Sequence, residues 1–275
     1  MRIGMVQLSV GPDPEDNLPT TLDLIERSVS DGATWVFTPE VTNLLETNAQ
    51  NQRRVLRTED TDLTLRALCN VAAERRIWIS VGSLALKPAD TFDRFVNRSF
   101  LIGPDGHVAA RYDKIHMFDV VLSETEKFQE SKRYQPGTKA VLAEGPAALG
   151  MTVCYDLRFP HLYRSLARAG AHILSVPSAF AETTGVAHWH VLLRARAIET
   201  GCFVIAAAQT GEHGLRGGAL RKSYGHSLVV GPWGDVLTDM GPEPGFATVD
   251  IDLSEVERAR RRVPSLHANP EYFDP

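Results

Sequence analysis

Short apolar runs alternate with helix-periodic stretches along nearly the whole chain, and this constrains the fold more than any other feature. Residues 3–10 are apolar with β-branched members and predict a strand. Residues 17–30 follow with Leu18, Leu22, Ile25 and Val29 at helical spacing. The run 34–38 (TWVFT) predicts a short buried strand that ends in Pro39-Glu40. A second helix is expected over 61–75, where Leu65, Leu68, Val71 and Ala72 share a face, and a strand over 77–86. Residues 95–112 predict a hairpin about the turn formers Gly103-Pro104-Asp105-Gly106. The polar segment 119–138 is expected to pass over the surface. Further strands are expected over 149–154, 173–176, 202–208, 226–230, 235–238 and 246–251. Helices are expected over 159–169 and 189–200, closed by Gly170 and Gly201, and Ser254 is expected to cap a short charged helix. There is no fixed-period repeat and no long Ser/Gly/Pro linker, so residues 1–275 read as one α/β domain of layered sheets and helices.

Composition then narrows the function. With 43% hydrophobic and 23% charged residues, the chain is no disordered tail, collagen or coiled coil. A net charge of −5, from 29 basic and 34 acidic residues, gives no general attraction to nucleic-acid phosphates. No apolar run approaches the roughly 18 residues of a membrane span. The opening MRIGMVQLSV lacks the long apolar core of a secretion signal and reads as a strand. The three cysteines, Cys69, Cys154 and Cys202, are far apart and include no CxxC pair. That argues against a disulfide framework or a cysteine zinc site, and makes a reducing cytoplasm the expected location.

Cys154 stands at the end of the apolar run Leu149, Met151, Val153 and directly before the polar turn Tyr155-Asp156-Leu157-Arg158. Reactive groups of α/β proteins sit at such strand ends. The N–H groups of a following helix favour a thiolate and offer an oxyanion site. Position alone also fits a buried structural thiol. Cys69, within a helix, and Cys202, opening an apolar strand, read as core. A thiol nucleophile needs a base, yet none of the nine histidines carries the local signature of a Cys-His protease. His188 and His190 flank Trp189 with no third ligand nearby in the sequence, so no metal site is expected. Glu40 emerges past a proline that stops strand pairing, and Lys114 follows the strand ending at Tyr112. Desolvation at such an edge raises a carboxyl pKa and suits the group to base work. A nearby ammonium lowers a thiol pKa and stabilises an oxyanion. Taken singly, each residue is equally a solvated charge.

The order Glu40, Lys114, Cys154 and its flanks resemble the nitrilase superfamily of carbon–nitrogen hydrolases. The likeness covers nearly the whole chain. It runs through FTPE (37–40), YDKIH (112–116) and, most specifically, VCYDLRFP (153–160). PSAF (177–180), Thr184-Gly185, AHW (187–189) and LRARAIE (193–199) look like its amidase branch, which holds deaminated-glutathione amidases and ω-amidases. AAAQ (206–209), SYGHS (223–227) and PWG (232–234) lean toward the deaminated-glutathione side. The resemblance implies a four-layer αββα sandwich, paired into homodimers or higher homo-oligomers through a helical layer, with no metal or organic cofactor. It makes Glu40 the general base, Lys114 the oxyanion stabiliser and Cys154 the nucleophile, with the Tyr155 N–H completing an oxyanion hole. Glu130 matches a glutamate that supports the lysine, although Glu124 and Glu126 lie close by.

By that likeness Glu40 takes the Cys154 proton, the thiolate attacks an amide carbon, and Glu40 hands the proton to departing ammonia. Glu40 then activates the water that hydrolyses the thioester. The implied substrate is a small carboxylated amide: deaminated glutathione first, 2-oxoglutaramate second. Tyr155, Arg158, Phe180 and Thr184 are the implied contacts. The Gly-rich segment 211–224, with Arg216, Arg221 and Lys222, lacks the GxxxxGK pattern of a phosphate loop. It reads as a surface loop or as a lid whose basic residues meet a substrate carboxylate. Arg258, Arg260, Arg261 and Arg262 read as a solvated helix end or a subunit contact. A nitrile hydrolase, a Cys-His hydrolase on another fold and a catalytically dead binding scaffold are the alternatives. Retention of Glu40, Lys114 and Cys154 together opposes the last of these.

Overall fold

The first strand, β1 (Arg2–Gln7), shows how alternation sorts the layers. Ile3 and Met5 pack with Leu149, Met151 and Ile173, whereas Val6 packs with Leu24 and Ile25 of the following helix. Successive strand side chains point to opposite faces, so one face of β1 meets a second sheet and the other meets helices. Gly4 marks the close approach of that helix, α1 (Pro14–Ser30): a Cβ there would stand 2.0 Å from the Ser28 hydroxyl.

The computed structural model describes residues 1–89, 94–122, 124, 127–214 and 220–268. After α1 come β2 (Trp35–Phe37), α2 (Ala49–Val55), α3 (Leu63–Arg75), β3 (Trp78–Leu86), β4 (Val96–Ile102) and β5 (Val108–Asp113). A small ribbon follows, β6 (Asp119–Val121) with β7 (Lys127–Gln129). Then come β8 (Val141–Ala143), β9 (Leu149–Met151), α4 (Pro160–Arg168), β10 (Ile173–Ser175), α5 (Glu182–Thr200) and β11 (Phe203–Ala206). The chain closes with β12 (Thr210–Gly214), β13 (Leu220–Tyr224), β14 (Leu228–Val230), β15 (Val236–Asp239), β16 (Gly245–Asp250) and α6 (Ser254–Arg262).

The strand orders are β16-β1-β2-β3-β4-β5 and β8-β9-β10-β11-β14-β15. Each sheet has three parallel strands at its centre and antiparallel strands at both ends. The two halves therefore share a topology although their sequences show no repeat. The inner faces meet in one core, while α1 and α3 cover one outer face and α4 and α5 the other. The architecture is the expected αββα sandwich. Among the described residues no helix is long and apolar enough to cross a membrane.

Several expectations are corrected. Segment 119–138 is not simply a surface traverse: it forms the β6–β7 ribbon and a tight turn, Glu130–Lys132, whose first residue points inward. Segment 211–224 supplies strands β12 and β13, paired from Thr210↔Tyr224 to Gly214↔Leu220, with Arg216 and Glu126 outside the described residues. Helix α5 begins seven residues earlier than its apolar pattern, because its first turns pack through Gly185, where a Cβ would lie 2.3 Å from the Tyr224 ring. Ser254 does not cap α6 with its side chain. Its own N–H and hydroxyl donate to Asp252, which stands earlier in the chain and supplies the acceptor.

Candidate active site

Three chain segments leaving strand ends converge on one cleft. After β2 the chain must turn sharply to present Glu40, and it does so against β3. Gly82 makes this possible: a Cβ there would lie 2.1 Å from the Thr38 carbonyl oxygen. The Val41 N–H donates to Ser83 Oγ (2.8 Å) and the Thr42 N–H to the Ser83 carbonyl (2.9 Å). These bonds hold Val41 in the left-handed region (φ 48°), a conformation that costs a β-branched residue about 1–3 kcal/mol.

Cys154 is the second such point. Strand β9 stops at Met151 rather than at the expected position 154, and Cys154 opens a tight turn over Cys154–Arg158 with φ 50°. Its N–H donates to the Pro177 carbonyl (2.9 Å). The buried Asp156 carboxylate fixes the turn: it accepts from the Val153 N–H (2.8 Å), the Tyr112 hydroxyl (2.7 Å) and the His116 N–H (3.0 Å). Tyr112 and His116 flank Lys114 by two residues on either side, so one carboxylate ties the lysine segment to the cysteine turn.

At the centre, Lys114 Nζ lies 2.9 Å from Glu40 Oε1 and 2.8 Å from Glu130 Oε2. Glu40 Oε2 accepts the Ala179 N–H at 2.8 Å, and the Cys154 thiol shares the cleft with the same carboxylate and interacts with it. Glu130 also accepts the Phe118 N–H at 2.6 Å. Asn97, which the sequence reading missed, donates from Nδ2 to Glu40 Oε1 at 2.9 Å, while its carbonyl accepts the Lys114 N–H. Its only sequence signal is a polar residue near the start of strand β4, which carries Arg98 and Ser99 as well, so nothing local singles it out.

Burial and charge set the protonation states, and they reverse two expectations. Burial pushes the Glu40 carboxyl up, but the Lys114 ammonium, the thiol and the Ala179 N–H together hold it below its ordinary value. Burial and the Glu40 charge push the Cys154 thiol up, although Lys114 opposes them. For Lys114, burial disfavours the ammonium, but Glu130 and then Glu40 raise it well above the usual lysine value. The resting set is therefore carboxylate, ammonium and neutral thiol. A lysine beside a thiol lowers its pKa only if no carboxylate lies equally close.

The cleft contains some 830 Å³ of unfilled space, part of it open to solvent, and Tyr155, Phe180 and Thr184 line it as expected. Arg158 is not among the described lining residues: its guanidinium lies over the Tyr155 and Phe180 rings and meets the His188 ring at 3.2 Å. No histidine is among the lining residues. Glu124 is exposed, Cys202 is buried, and Cys69 is only partly buried rather than core. His190, by contrast, does meet further ligand-type groups, supplied by folding. Its Nε2 lies 3.0 Å from Asp239, whose carboxylate also meets His226 Nδ1 at 2.9 Å. All three ligand-type atoms lie within 4.8 Å of one another at the surface.

A four-layer sandwich with an acid, an ammonium and a thiol gathered at the ends of its strands defines a hydrolase of carbon–nitrogen bonds. The model of the carbon–nitrogen hydrolase family matches residues 2–261, and the chain belongs to that family. A protein of Yersinia enterocolitica named deaminated glutathione amidase is 38% identical over 97% of this chain and 92% of its own length. The NitFhit protein of Caenorhabditis elegans superposes with a TM-score of 0.88 at 36% identity, covering 96% of this chain, which spans only 63% of that longer protein. An amidase from Nesterenkonia sp. AN1, solved with acrylamide added at its active-site cysteine, superposes with a TM-score of 0.77 at 29% identity, covering 96% of this chain and 98% of that one.

Proposed function

We propose that this chain is a thiol amidohydrolase acting on deaminated glutathione, with Cys154 as nucleophile, Glu40 as base and Lys114 as oxyanion stabiliser. The observation that carries the reading is the single buried cluster in which Lys114 bonds Glu40 and Glu130 and Cys154 lines the same cleft. Glu40 is ionised at rest and the thiol is neutral, so the proton moves from Cys154 to Glu40 as sulfur attacks the amide carbon. The Lys114 ammonium and the Tyr155 N–H at the head of the turn receive the developing oxyanion. Protonated Glu40 then delivers its proton to the leaving nitrogen. With deaminated glutathione that nitrogen is the amine of cysteinylglycine; with a primary amide it is ammonia. Water activated by Glu40 hydrolyses the thioester and frees 2-oxoglutarate. Glu130 keeps Lys114 charged throughout. The acrylamide adduct of the Nesterenkonia amidase and the name of the Yersinia relative support the choice of nucleophile and of substrate.

The same proposal extends to one hydrolase domain working in the cytoplasm as a homodimer, where three unbridged thiols are at home. Val186, Val191 and Ile198 on α5, with the nearby Trp233, leave an exposed apolar face that a second copy would cover.

The deciding experiment measures 2-oxoglutarate and cysteinylglycine from deaminated glutathione, and ammonia from 2-oxoglutaramate, with Cys154→Ala as control. A larger kcat/KM on deaminated glutathione, lost in Cys154→Ala, is expected. A preference for 2-oxoglutaramate makes the enzyme an ω-amidase. Inertness toward both, from a folded protein, overturns the reading.

A further inference from the structure

Strand alternation decides which basic residue of segment 211–224 reaches the cleft. Arg221, Lys222 and Ser223 are consecutive on β13, so the first and third share a face. Ser223 is buried, and Arg221 lines the cleft, whereas Lys222 turns outward to pair with Glu182 at 2.7 Å. The Arg221 guanidinium is held in place: Nη2 donates to the Ala179 carbonyl at 2.8 Å, and its carbon lies 5.9 Å from the Phe128 ring centre. Ala179 is the residue whose N–H binds Glu40, so the two peptide units flanking one residue fix the guanidinium relative to the Glu40 carboxylate. The guanidinium Nε is buried without a hydrogen-bond partner, and among the described residues no carboxylate pairs with Arg221. Elsewhere Arg98, of similar exposure, is paired with both Asp113 and Glu59. A partly desolvated guanidinium with an unpartnered buried Nε and no counter-ion among the described residues is a fork built for a carboxylate.

We propose that Arg221 anchors the 2-oxo-acid carboxylate on the acyl part of the substrate, an inference that rests on the amidohydrolase reading above. The repulsive field of Glu40 and Glu130 excludes a substrate carboxylate from the rest of the buried floor, leaving the guanidinium side of the cleft. An anchor on the acyl part also holds the thioester after the amine has left. The anchor then serves both halves of the reaction.

The test combines substrates and variants. Arg221→Ala is expected to lower kcat/KM about ten- to hundredfold on both deaminated glutathione and 2-oxoglutaramate. Its effect on the 2-oxoglutaramate analogue with that carboxylate converted to carboxamide should be less than about twofold. Lys222→Ala, on the outer face, should match the parent protein. A second readout needs no turnover: 2-oxoglutarate should protect Cys154 from iodoacetamide, and Arg221→Ala should need at least about tenfold more of it. Arg221→Lys, with thermal unfolding compared, separates loss of the fork from loss of fold. Equal losses on the charged and the neutral amide overturn the anchor, as does a loss confined to deaminated glutathione, which would place the guanidinium on the leaving group. Arg133 is the other arginine among the described lining residues of the cleft, and protection abolished by Arg133→Ala but not by Arg221→Ala also overturns the anchor. An inert parent protein that 2-oxoglutarate still protects through Arg221 would overturn the amidohydrolase reading and leave the anchor standing.

Discussion

Two hydrogen-bonded clusters of ionisable side chains sit at different depths. Glu40, Lys114 and Glu130 lie in the cleft with their side chains 6%, 2% and 15% exposed, whereas His190, His226 and Asp239 lie at the surface, each about a quarter to a third exposed. Contact distances in the two are nearly the same, 2.8–2.9 Å in one and 2.9–3.0 Å in the other. Their consequences differ because water screens the second and not the first. In the cleft, a missing partner strands a buried charge; at the surface it exposes one more solvated group.

The largest expected effect comes from breaking the buried cluster at its cation. Lys114→Met leaves Glu40 and Glu130 facing each other without compensation. Stability should fall by about 3–5 kcal/mol in urea unfolding, and hydrolysis should fall about 100- to 1,000-fold from loss of an oxyanion donor. Alkylation of Cys154 should abolish activity in step with labelling. Activity lost on labelling of the partly buried Cys69 instead would shift the nucleophile.

Asp156→Asn comes next. It replaces an acceptor of two N–H groups and a tyrosine hydroxyl with a side chain that also donates. A cost of about 1–3 kcal/mol is expected, with kcat falling more than KM rises as the turn and the lysine segment lose their common tether. A change in stability alone, with kcat intact, would reduce Asp156 to a structural part.

Asn97→Ala sharpens the electrostatics. Removing a donor to the Glu40 carboxylate favours its protonated form. In the parent protein the depressed Glu40 value keeps the carboxylate ionised into acid, so with Glu40 as the proposed base the acid limb of kcat/KM should lie below the ordinary carboxylate range. In Asn97→Ala that limb should move up. An unmoved limb would mean that Lys114, the thiol and the Ala179 N–H hold the carboxylate without help from Asn97.

The smallest effect is assigned to the surface cluster. Asp239→Ala should cost no more than about 1 kcal/mol. Burial pushes its carboxyl up, but the His190 and His226 rings and the Gly241 N–H hold it below the usual value. Its contribution should therefore be present near neutrality and lost as pH falls through the depressed pKa. A loss of several kcal/mol would erase the distinction between the two clusters.

Most strands and helices were legible because their signals are local. The TWVFT run, the Leu65–Leu68–Ala72 face and the Gly170 and Gly201 stops each act within a few residues. The ribbons β6–β7 and β12–β13 were not, since they are polar segments ordered by what lies beneath them. Among candidate site residues, Glu40, Lys114, Cys154 and Glu130 were nameable from their flanks and the family likeness these carry. Asn97 was not, because an inward polar residue on a strand has no local mark of its role. Neither was the direction of the Glu40 and Cys154 shifts, which depends on burial and on the charges of Lys114 and Glu40 brought together from far apart in the sequence.

The sequence by itself determined the alternation of strands and helices, the family likeness and the residue types available for catalysis, because backbone propensity and side-chain chemistry are properties of short segments. Only the tertiary structure decided that Arg158 stacks outside the cleft while Arg221 enters it, that Asp156 ties lysine to cysteine, and that the resting cysteine is a thiol. Each of those depends on distance and on exclusion of water between segments the chain brings together only when the two sheets close on each other.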